Sequence, residues 1–235
     1  MKRLLTTLVI LTGLLGSVGA VWAQDFDKGL KAYDSGDFAT ALKEWKPLAE
    51  QGDAAAQYNL GQMYRFGKGV IQDYAEAVKW YRKAAEQGYA LAQNNLGYMY
   101  ANGEGVTQDY ATAVKWYRKA AEQGNTRAQD NLGLMYAKGN GVTQDYATAE
   151  KWFRKAAEQG YVEAQNNLGT TYYLGDGVLQ DMIASHMWFD IAAANGSKRA
   201  SKNRHLAAGK LSSSDILKAQ QKAKRCMASG YKDCD

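Results

Sequence analysis

The chain has 235 residues, of which 46% are hydrophobic and 23% charged, with 24 glycines, one proline, two cysteines and two histidines. Enough apolar residues are present to bury a core, which excludes a disordered tail, and glycine without a triplet period excludes collagen. The formal charge of +5 is modest, and the cysteines and histidines are too few for a disulfide scaffold or a zinc module.

The first 23 residues have the pattern of a secretory signal peptide. Lys2 and Arg3 precede an apolar run from Leu4 to Val21, and Ala23 ends a stretch of the kind that signal peptidase cleaves. A membrane anchor is the alternative, but it needs about 20 unbroken apolar residues. Threonines, glycines and a serine interrupt this run. We therefore predict removal of residues 1–23 and a periplasmic or secreted mature chain.

The central part of the chain repeats itself every 36 residues. Glycines at 52, 88, 124, 160 and 196 and tryptophans at 80, 116, 152 and 188 keep this step. A repeat of this length is typical of solenoids, in which each unit packs only on its neighbours. The repeat divides the chain into units 53–88, 89–124, 125–160 and 161–196. Residues 25–52 form an earlier and shorter unit.

Each unit contains two helical patterns joined by a Gly-x-Gly-Val turn. In the second pattern, apolar residues from Tyr74 to Ala85 recur at helical spacing, and charged residues share the opposite face. Asp73 and its equivalents are predicted to cap this helix, and Gly88 and its equivalents to end it. In the first pattern, Gly61 is expected to allow close approach of a neighbouring helix.

The repeated motifs resemble the Sel-one-like repeat (SLR) family, which is related to the tetratricopeptide repeats (TPR). They are A-Q-x-N-L-G-x-x-Y, G-x-G-V-x-Q-D and A-x-x-W-[YF]-x-x-A-A-x-x-G, and they recur in four copies over 53–196. Residues 25–52 look more like a TPR unit, since they lack the Gly-x-Gly-Val-type insertion. The resemblance implies an all-α fold, an α-solenoid (right-handed superhelix) of antiparallel helix pairs. It also implies a scaffold for protein contacts.

The last segment, 197–235, carries 10 basic and 3 acidic residues and is predicted to cap the solenoid. In the fourth unit the charged face of the second helix becomes apolar at Met187, Ile191 and Ala194. A C-terminal helix that begins after a cap at Ser213 or Ser214 is expected to cover this stripe. Its apolar face consists of Ile216, Ala219, Ala223 and Cys226.

Cys226 and Cys234 are predicted to form a disulfide, because an exported protein meets an oxidising compartment. Two free thiols are the alternative. Although the segment is basic, it lacks interleaved aromatic residues and any nucleic-acid module, so we expect no nucleic-acid partner.

No catalytic residue, metal ligand or cofactor is predicted. His186 lies at a position that changes from unit to unit and is interpreted as a surface or rim residue, like His205. A cysteine-rich branch of the SLR family is associated with penicillin binding and β-lactam hydrolysis, and Ser229-Gly-Tyr-Lys232 has the Ser-x-x-Lys pattern. Its Ser-Asp-Asn and Lys-Thr-Gly companions are missing, so a β-lactam-binding or β-lactam-hydrolysing enzyme remains only an alternative.

The candidate binding site is a stripe of varying residues along the first helices. On a helical wheel, the positions that vary between units form a face separate from the constant positions. TPR-like solenoids place their first helices on the concave face, so this stripe is predicted to be a groove. Its members are Tyr58, Gln62, Arg65, Phe66, Asn94, Tyr98, Arg127, Asp130, Lys138, Glu163, Asn166 and Tyr173.

The sequence therefore predicts an exported, monomeric, non-catalytic scaffold that binds a protein or peptide in this groove. Binding of peptidoglycan or polysaccharide is a further alternative, because exposed tyrosines stack on sugars. Neutral drift of a solvated face is the explanation of the stripe that involves no binding.

Overall fold

The computed structural model describes residues 26–234, and every regular element within that range is a helix. The predicted signal peptide lies outside the described residues. The helices are α1 (26–34), α2 (Phe38–Glu50), α3 (Ala54–Phe66), α4 (Tyr74–Glu86), α5 (Ala90–Asn102), α6 (Tyr110–Glu122), α7 (Thr126–Lys138), α8 (Tyr146–Ala157), α9 (Val162–Leu174), α10 (Met182–Ala194), α11 (Lys198–Ala208) and α12 (Ser213–Ala228).

The helices repeat at the period that the sequence predicts. The first helices α3, α5, α7 and α9 begin 36 residues apart, and so do the second helices α4, α6, α8 and α10. The all-α solenoid is thus confirmed. The chain divides into two compact units, one up to Ala84 and one from Ala85. Within residues 26–234, no helix combines the length and the apolar character needed to cross a membrane.

The predicted caps and turns define the ends of the helices. The Asp109, Asp145 and Asp181 side chains accept hydrogen bonds from backbone N–H groups in the first turns of α6, α8 and α10. Such a cap contributes about 1 kcal/mol. The first helices α3, α5, α7 and α9 each end at a glycine with positive φ, between 64° and 79°. Because these backbone conformations favour glycine, the Gly-x-Gly-Val turn separates the two helices of every repeat.

The core of the N-terminal unit is built around Trp45. This residue is buried with Leu60 and Met63, and its Nε1–H donates a hydrogen bond to the Phe26 carbonyl oxygen at 3.1 Å. The Tyr33 and Trp45 ring centroids are 5.5 Å apart. The short unit at the start of the chain therefore shares one core with the repeat that follows it.

In the C-terminal unit, each repeat packs an aromatic ring against a helical glycine. A Cβ atom on Gly97 would lie 2.8 Å from the Tyr117 ring, and one on Gly133 would lie 2.6 Å from the Phe153 ring. The same close approach joins Gly61 to Tyr81 in the N-terminal unit, as predicted. Any larger residue at these glycines would force the two helices of a repeat apart.

A ladder of glutamines, of which Gln93 and Gln129 on the first helices are buried, bonds each of these helices to the preceding repeat and to the end of the second helix of its own repeat. The Gln129 Nε2 donates to the Ala121 carbonyl oxygen at 3.1 Å, and its Oε1 accepts from the Gln159 amide at 2.9 Å. Gln93 pairs with Gln123 in the same way, at 2.7 Å. These bonds satisfy polar groups that would otherwise destabilise a buried interface.

The C-terminal helix α12 covers α10, as predicted. Met187 and Ile191 are buried in one cluster with Ala219 and Ala223, whereas Ala194 stays exposed. The cap of α12 is Ser212, whose hydroxyl accepts from the Asp215 N–H, and not Ser213 or Ser214. Ser212 is the last residue outside the helix, and so it can take the extended conformation of a cap.

The predicted disulfide between Cys226 and Cys234 is present, with the two Cα atoms 4.5 Å apart. It ties the end of the described chain back onto α12.

His186 is buried on α10 and is not the surface residue that the sequence predicts. Its side chain is 2% exposed, and Nδ1 has no hydrogen-bond partner within the described residues. Burial lowers the pKa of this imidazole, and the Asp190 carboxylate opposes that shift. The equivalent residues Val78, Val114 and Glu150 are also buried. Different side chains therefore fill the same buried position in different repeats.

Candidate functional site

In the N-terminal unit, the predicted stripe residues lie on α3 and contact one another. The Gln62 Nε2 donates to the Tyr58 hydroxyl at 2.8 Å, and the Gln62 Oε1 accepts from the Tyr81 hydroxyl at 3.2 Å. The Arg65 guanidinium lies 5.2 Å from the centroid of the Phe66 ring. Phe66 is 53% exposed, so it is the open apolar member of this group.

In the C-terminal unit, the predicted stripe residues divide by exposure. Arg127, Lys138 and Glu163 are exposed, and Tyr98 and Tyr173 are partly buried. Asn94, Asp130 and Asn166 are buried, which the stripe interpretation does not predict.

These three buried residues accept hydrogen bonds in a second ladder between successive first helices. The Asn131 Nδ2 donates to the Asn94 Oδ1 at 3.1 Å. The next two pairs are Asn167 with Asp130 at 2.8 Å and Asn203 with Asn166 at 3.0 Å. The sequence contains the signal for this ladder, because asparagines recur every 36 residues at 59, 95, 131, 167 and 203.

Three adjoining cavities lie along α7, α9 and α11, with volumes of about 230, 190 and 500 Å³. We call this surface the first-helix groove. Arg199 lines all three cavities, and within the described residues its guanidinium makes no hydrogen bond or ion pair. Thr170 lines the 230 and 190 Å³ cavities, and Leu134 lines the 190 and 500 Å³ cavities. Of the predicted site residues, the groove brings together Asp130, Lys138, Glu163, Asn166 and Tyr173.

The groove extends onto α11, which the sequence analysis assigns to the capping segment. This helix begins 36 residues after α9 and thus takes the place of a fifth first helix. Arg199 and Leu206 line the 230 Å³ cavity. The Lys210 Nζ lies 4.1 Å from the centroid of the Tyr173 ring. Extending the varying stripe by one more period, from Glu163 to Arg199 and from Thr170 to Leu206, would have identified both residues.

One buried carboxyl group gives the groove an unusual electrostatic feature. The pKa of Asp130 is raised from 3.8 to about 6, mainly by burial and also by the charge of the nearby Glu163 carboxylate. The hydrogen bond from Asn167 and the charge of Arg199 act in the opposite direction. Asp130 therefore changes its charge close to neutral pH.

A second exposed surface lies on the second helices. The Lys119 Nζ lies 4.6 Å from the Trp116 ring centroid, and the Lys155 Nζ lies 4.5 Å from that of Trp152. Each lysine follows its tryptophan by three residues, which places both on one face of a helix. Each lysine forms a cation–π pair with its tryptophan and covers the ring. This surface is the alternative to the groove as a binding surface.

The serine of the Ser-x-x-Lys pattern has a structural role. The Ser229 hydroxyl donates to the Cys226 carbonyl oxygen at 2.8 Å and accepts from the Asp233 N–H at 2.9 Å. It also accepts from the Lys232 N–H at 3.1 Å. The hydroxyl therefore holds the last turn of the chain. In residues 26–234, no three His, Cys, Asp or Glu side chains come close enough together to hold a metal ion.

Comparison with known proteins gives a consistent result. The sequence profile of the Sel1 repeat matches 54–89, 90–125, 126–161 and 162–197. A protective antigen of uropathogenic Escherichia coli with an SLR fold is 37% identical over 91% of this chain, with a TM-score of 0.76. This chain spans about half of that protein, 48%. The comparison with curated proteins finds no match.

A solved Sel1 repeat protein from Oxalobacter formigenes is 36% identical, with a TM-score of 0.69. The alignment covers 74% of this chain and 72% of that one. Since the four matched repeats make up more than half of the sequence and the alignment covers most of both chains, the chain belongs to the Sel1 repeat family.

Proposed function

We propose that the protein is an exported, non-catalytic scaffold of the cell envelope that binds a protein or peptide in its first-helix groove. Sel1 repeat proteins are generally scaffolds for protein interaction, which supports the binding role. The observation that carries the proposal is the set of adjoining cavities along α7, α9 and α11, with an unpaired guanidinium at their junction.

Export is supported by two independent features. The first 23 residues have the signal-peptide pattern, and Cys226 and Cys234 form a disulfide. Structural disulfides persist in oxidising compartments such as the periplasm and are rare in the cytosol. The proposal therefore places the mature chain in the periplasm or the medium.

Affinity capture from envelope extract, followed by mass spectrometry, tests this function. The bait is the protein itself, and the matched bait carries Tyr173→Ala with Arg199→Ala, two residues that line the groove. Interface hot spots are rich in tyrosine and arginine and cost about 2 kcal/mol or more when truncated. We expect the double variant to bind the partner at least about tenfold more weakly.

The control for this experiment is Leu217→Ala with Lys224→Ala. Both residues are exposed on α12, and neither lines the groove. This control should capture the partner as well as the unchanged protein does. Equal capture by all three baits would place recognition elsewhere, and the lysine–tryptophan surface of the second helices would be examined next.

A further inference from the structure

We infer that the first-helix groove binds an extended peptide, with a peptide carboxylate on Arg199 and an apolar side chain in the 230 Å³ cavity beside Leu206. This inference rests on the proposed function and specifies its ligand. Three observations carry it: the charge in that cavity, its apolar lining, and the asparagine ladder beside it.

The charge around the 230 Å³ cavity favours an acidic ligand. Arg199 is the charged residue among the six that line this cavity, and the others are Thr170, Tyr173, Phe189, Asn203 and Leu206. The Lys210 Nζ lies over the ring of Tyr173, which lines the same cavity. A guanidinium binds a carboxylate through two parallel hydrogen bonds. Since Arg199 has no such partner within the described chain, a carboxylate from a ligand complements it.

The apolar lining of the same cavity suits a large hydrophobic side chain. Tyr173, Phe189 and Leu206 line it, and Phe189 is buried on α10. Leu206 is 61% exposed although it lines a concave surface. Covering it would remove apolar surface from water, which favours binding. The short distance across one cavity places the apolar side chain and the carboxylate within a few residues of each other in the ligand.

The asparagine ladder offers partners for a peptide backbone. Asn131, Asn167 and Asn203 each use an amide N–H to bond the preceding first helix. In residues 26–234 their Oδ1 atoms accept no hydrogen bond, and the three side chains are partly exposed. Each amide group therefore keeps one N–H donor and one acceptor. A peptide backbone has the matching C=O and N–H groups at every residue.

The spacing of the ladder matches an extended chain. Neighbouring helices pack about 8–10 Å apart, and an extended chain advances about 3.3 Å per residue. Successive asparagines would thus bond every third residue of the ligand. A helical ligand advances about 1.5 Å per residue and hides its backbone groups in its own hydrogen bonds, so it would not use the ladder.

Selection from a displayed library of random dodecapeptides tests the inference. The protein is the target, and the enriched sequences should pair an acidic residue with a large apolar residue a few positions away. One enriched peptide is then synthesised with a fluorescent label, and its Kd is measured by anisotropy. We expect Arg199→Glu and Leu206→Asp each to weaken binding by more than about tenfold.

Matched controls come from α12. Lys224→Glu changes the charge in the same direction as Arg199→Glu, and Leu217→Asp replaces another leucine that is 55% exposed. Neither residue lines the groove, so both controls should bind like the unchanged protein. Methylation of single backbone nitrogens in the peptide should weaken binding most at sites three residues apart.

Three results would overturn the inference: no enrichment of peptides, unchanged binding by Arg199→Glu and Leu206→Asp, or a helical bound peptide in transferred-NOE spectra. The envelope capture separates this failure from failure of the function. If the Tyr173 and Arg199 double variant loses its partner while no peptide is enriched, the groove binds a folded surface. If capture is also unaffected, the groove is not the binding site.

Discussion

Leu96 and Tyr98 lie two residues apart on α5, and variants of the two residues distinguish a packing role from a recognition role. Leu96 is fully buried, whereas Tyr98 is partly exposed on the varying stripe. We expect Leu96→Ala to lower the free energy of unfolding by about 2–5 kcal/mol, because it leaves a cavity in the core. Urea unfolding measures this loss. Tyr98→Ala with Arg127→Ala should cost less than half as much, and an equal cost would identify Tyr98 as a packing residue.

The raised pKa of Asp130 can be tested by measuring stability at two pH values. Its pKa in the folded chain is about 6, above the ordinary value of 3.8. The folded state therefore binds the proton more tightly than the unfolded state, and stability falls as pH rises through this range. Asp130→Asn keeps an acceptor for Asn167. We expect it to stabilise the protein near pH 7.5 by about 1–3 kcal/mol, and by much less near pH 4.

The control for this prediction is Asp145→Asn. The hydrogen bonds from Thr148 lower the pKa of Asp145, so its carboxylate form stabilises the cap of α8 above its unfolded pKa and loses that effect as pH falls. Asp145→Asn should thus give no gain near pH 7.5. Urea unfolding at both pH values measures the two variants. An equal effect of Asp130→Asn at both pH values would contradict the raised pKa.

The burial of single residues was harder to predict than their periodicity. The repeat position of Asn94, Asp130 and Asn166 holds Tyr58 in the first repeat, and this variation suggested exposure. All three carry a side-chain oxygen that accepts the bond from the next asparagine. Variation among residues with the same hydrogen-bonding capacity is compatible with burial. The burial of His186 was not predicted for a related reason. Val78, Val114 and Glu150 differ from it in sequence but fill the same buried position.

At the scale of elements, the helix pairs were predictable and α11 was not. The caps, the turns and α12 follow from local patterns that recur in the sequence. In α11 the first-helix pattern survives only at Ala200 and Asn203. Arg204 stands where Leu168 stands one repeat earlier, and its guanidinium pairs with Asp190 at 2.6 Å. Because a charged pair between α10 and α11 replaces the usual apolar residue, the sequence pattern did not identify α11 as a fifth first helix.

Removing α11 and α12 should expose the apolar face of α10. Met187 and Ile191 pack on α12, and Phe189 and Ala192 are buried in a cluster with Ala200 of α11. Terminal repeats need a polar outer face for solubility. We expect a chain truncated after Gly196 to aggregate, as measured by light scattering after size-exclusion chromatography.

The control for the truncation ends after Ser229. It removes the disulfide but keeps α12, so it should remain monodisperse at moderate temperature. A monomeric fragment that ends at Gly196 and melts like the unchanged protein would contradict the capping role of α12. The apolar face of α10 would then be an exposed patch of the kind that binds partners.

At the scale of the whole molecule, export is open to direct measurement. The signal-peptide pattern predicts that the mature chain begins at Gln24. The intact mass of the native protein should show this start and one disulfide, and no thiol should react before reduction. A retained Met1, or two reactive thiols, would contradict export to an oxidising compartment.

The two ladders of the C-terminal unit also bear on how such a chain changes length over evolution. The glutamine pairs join residues 30 positions apart, and the asparagine pairs join residues 37 positions apart. Each repeat of this unit supplies an amide donor and a side-chain oxygen acceptor at equivalent positions, so an in-frame gene duplication of 36 codons brings its own partners for both ladders. Recombination between near-identical copies, such as 72–88 and 108–124, can thus lengthen or shorten the protein by whole repeats while each intermediate still folds.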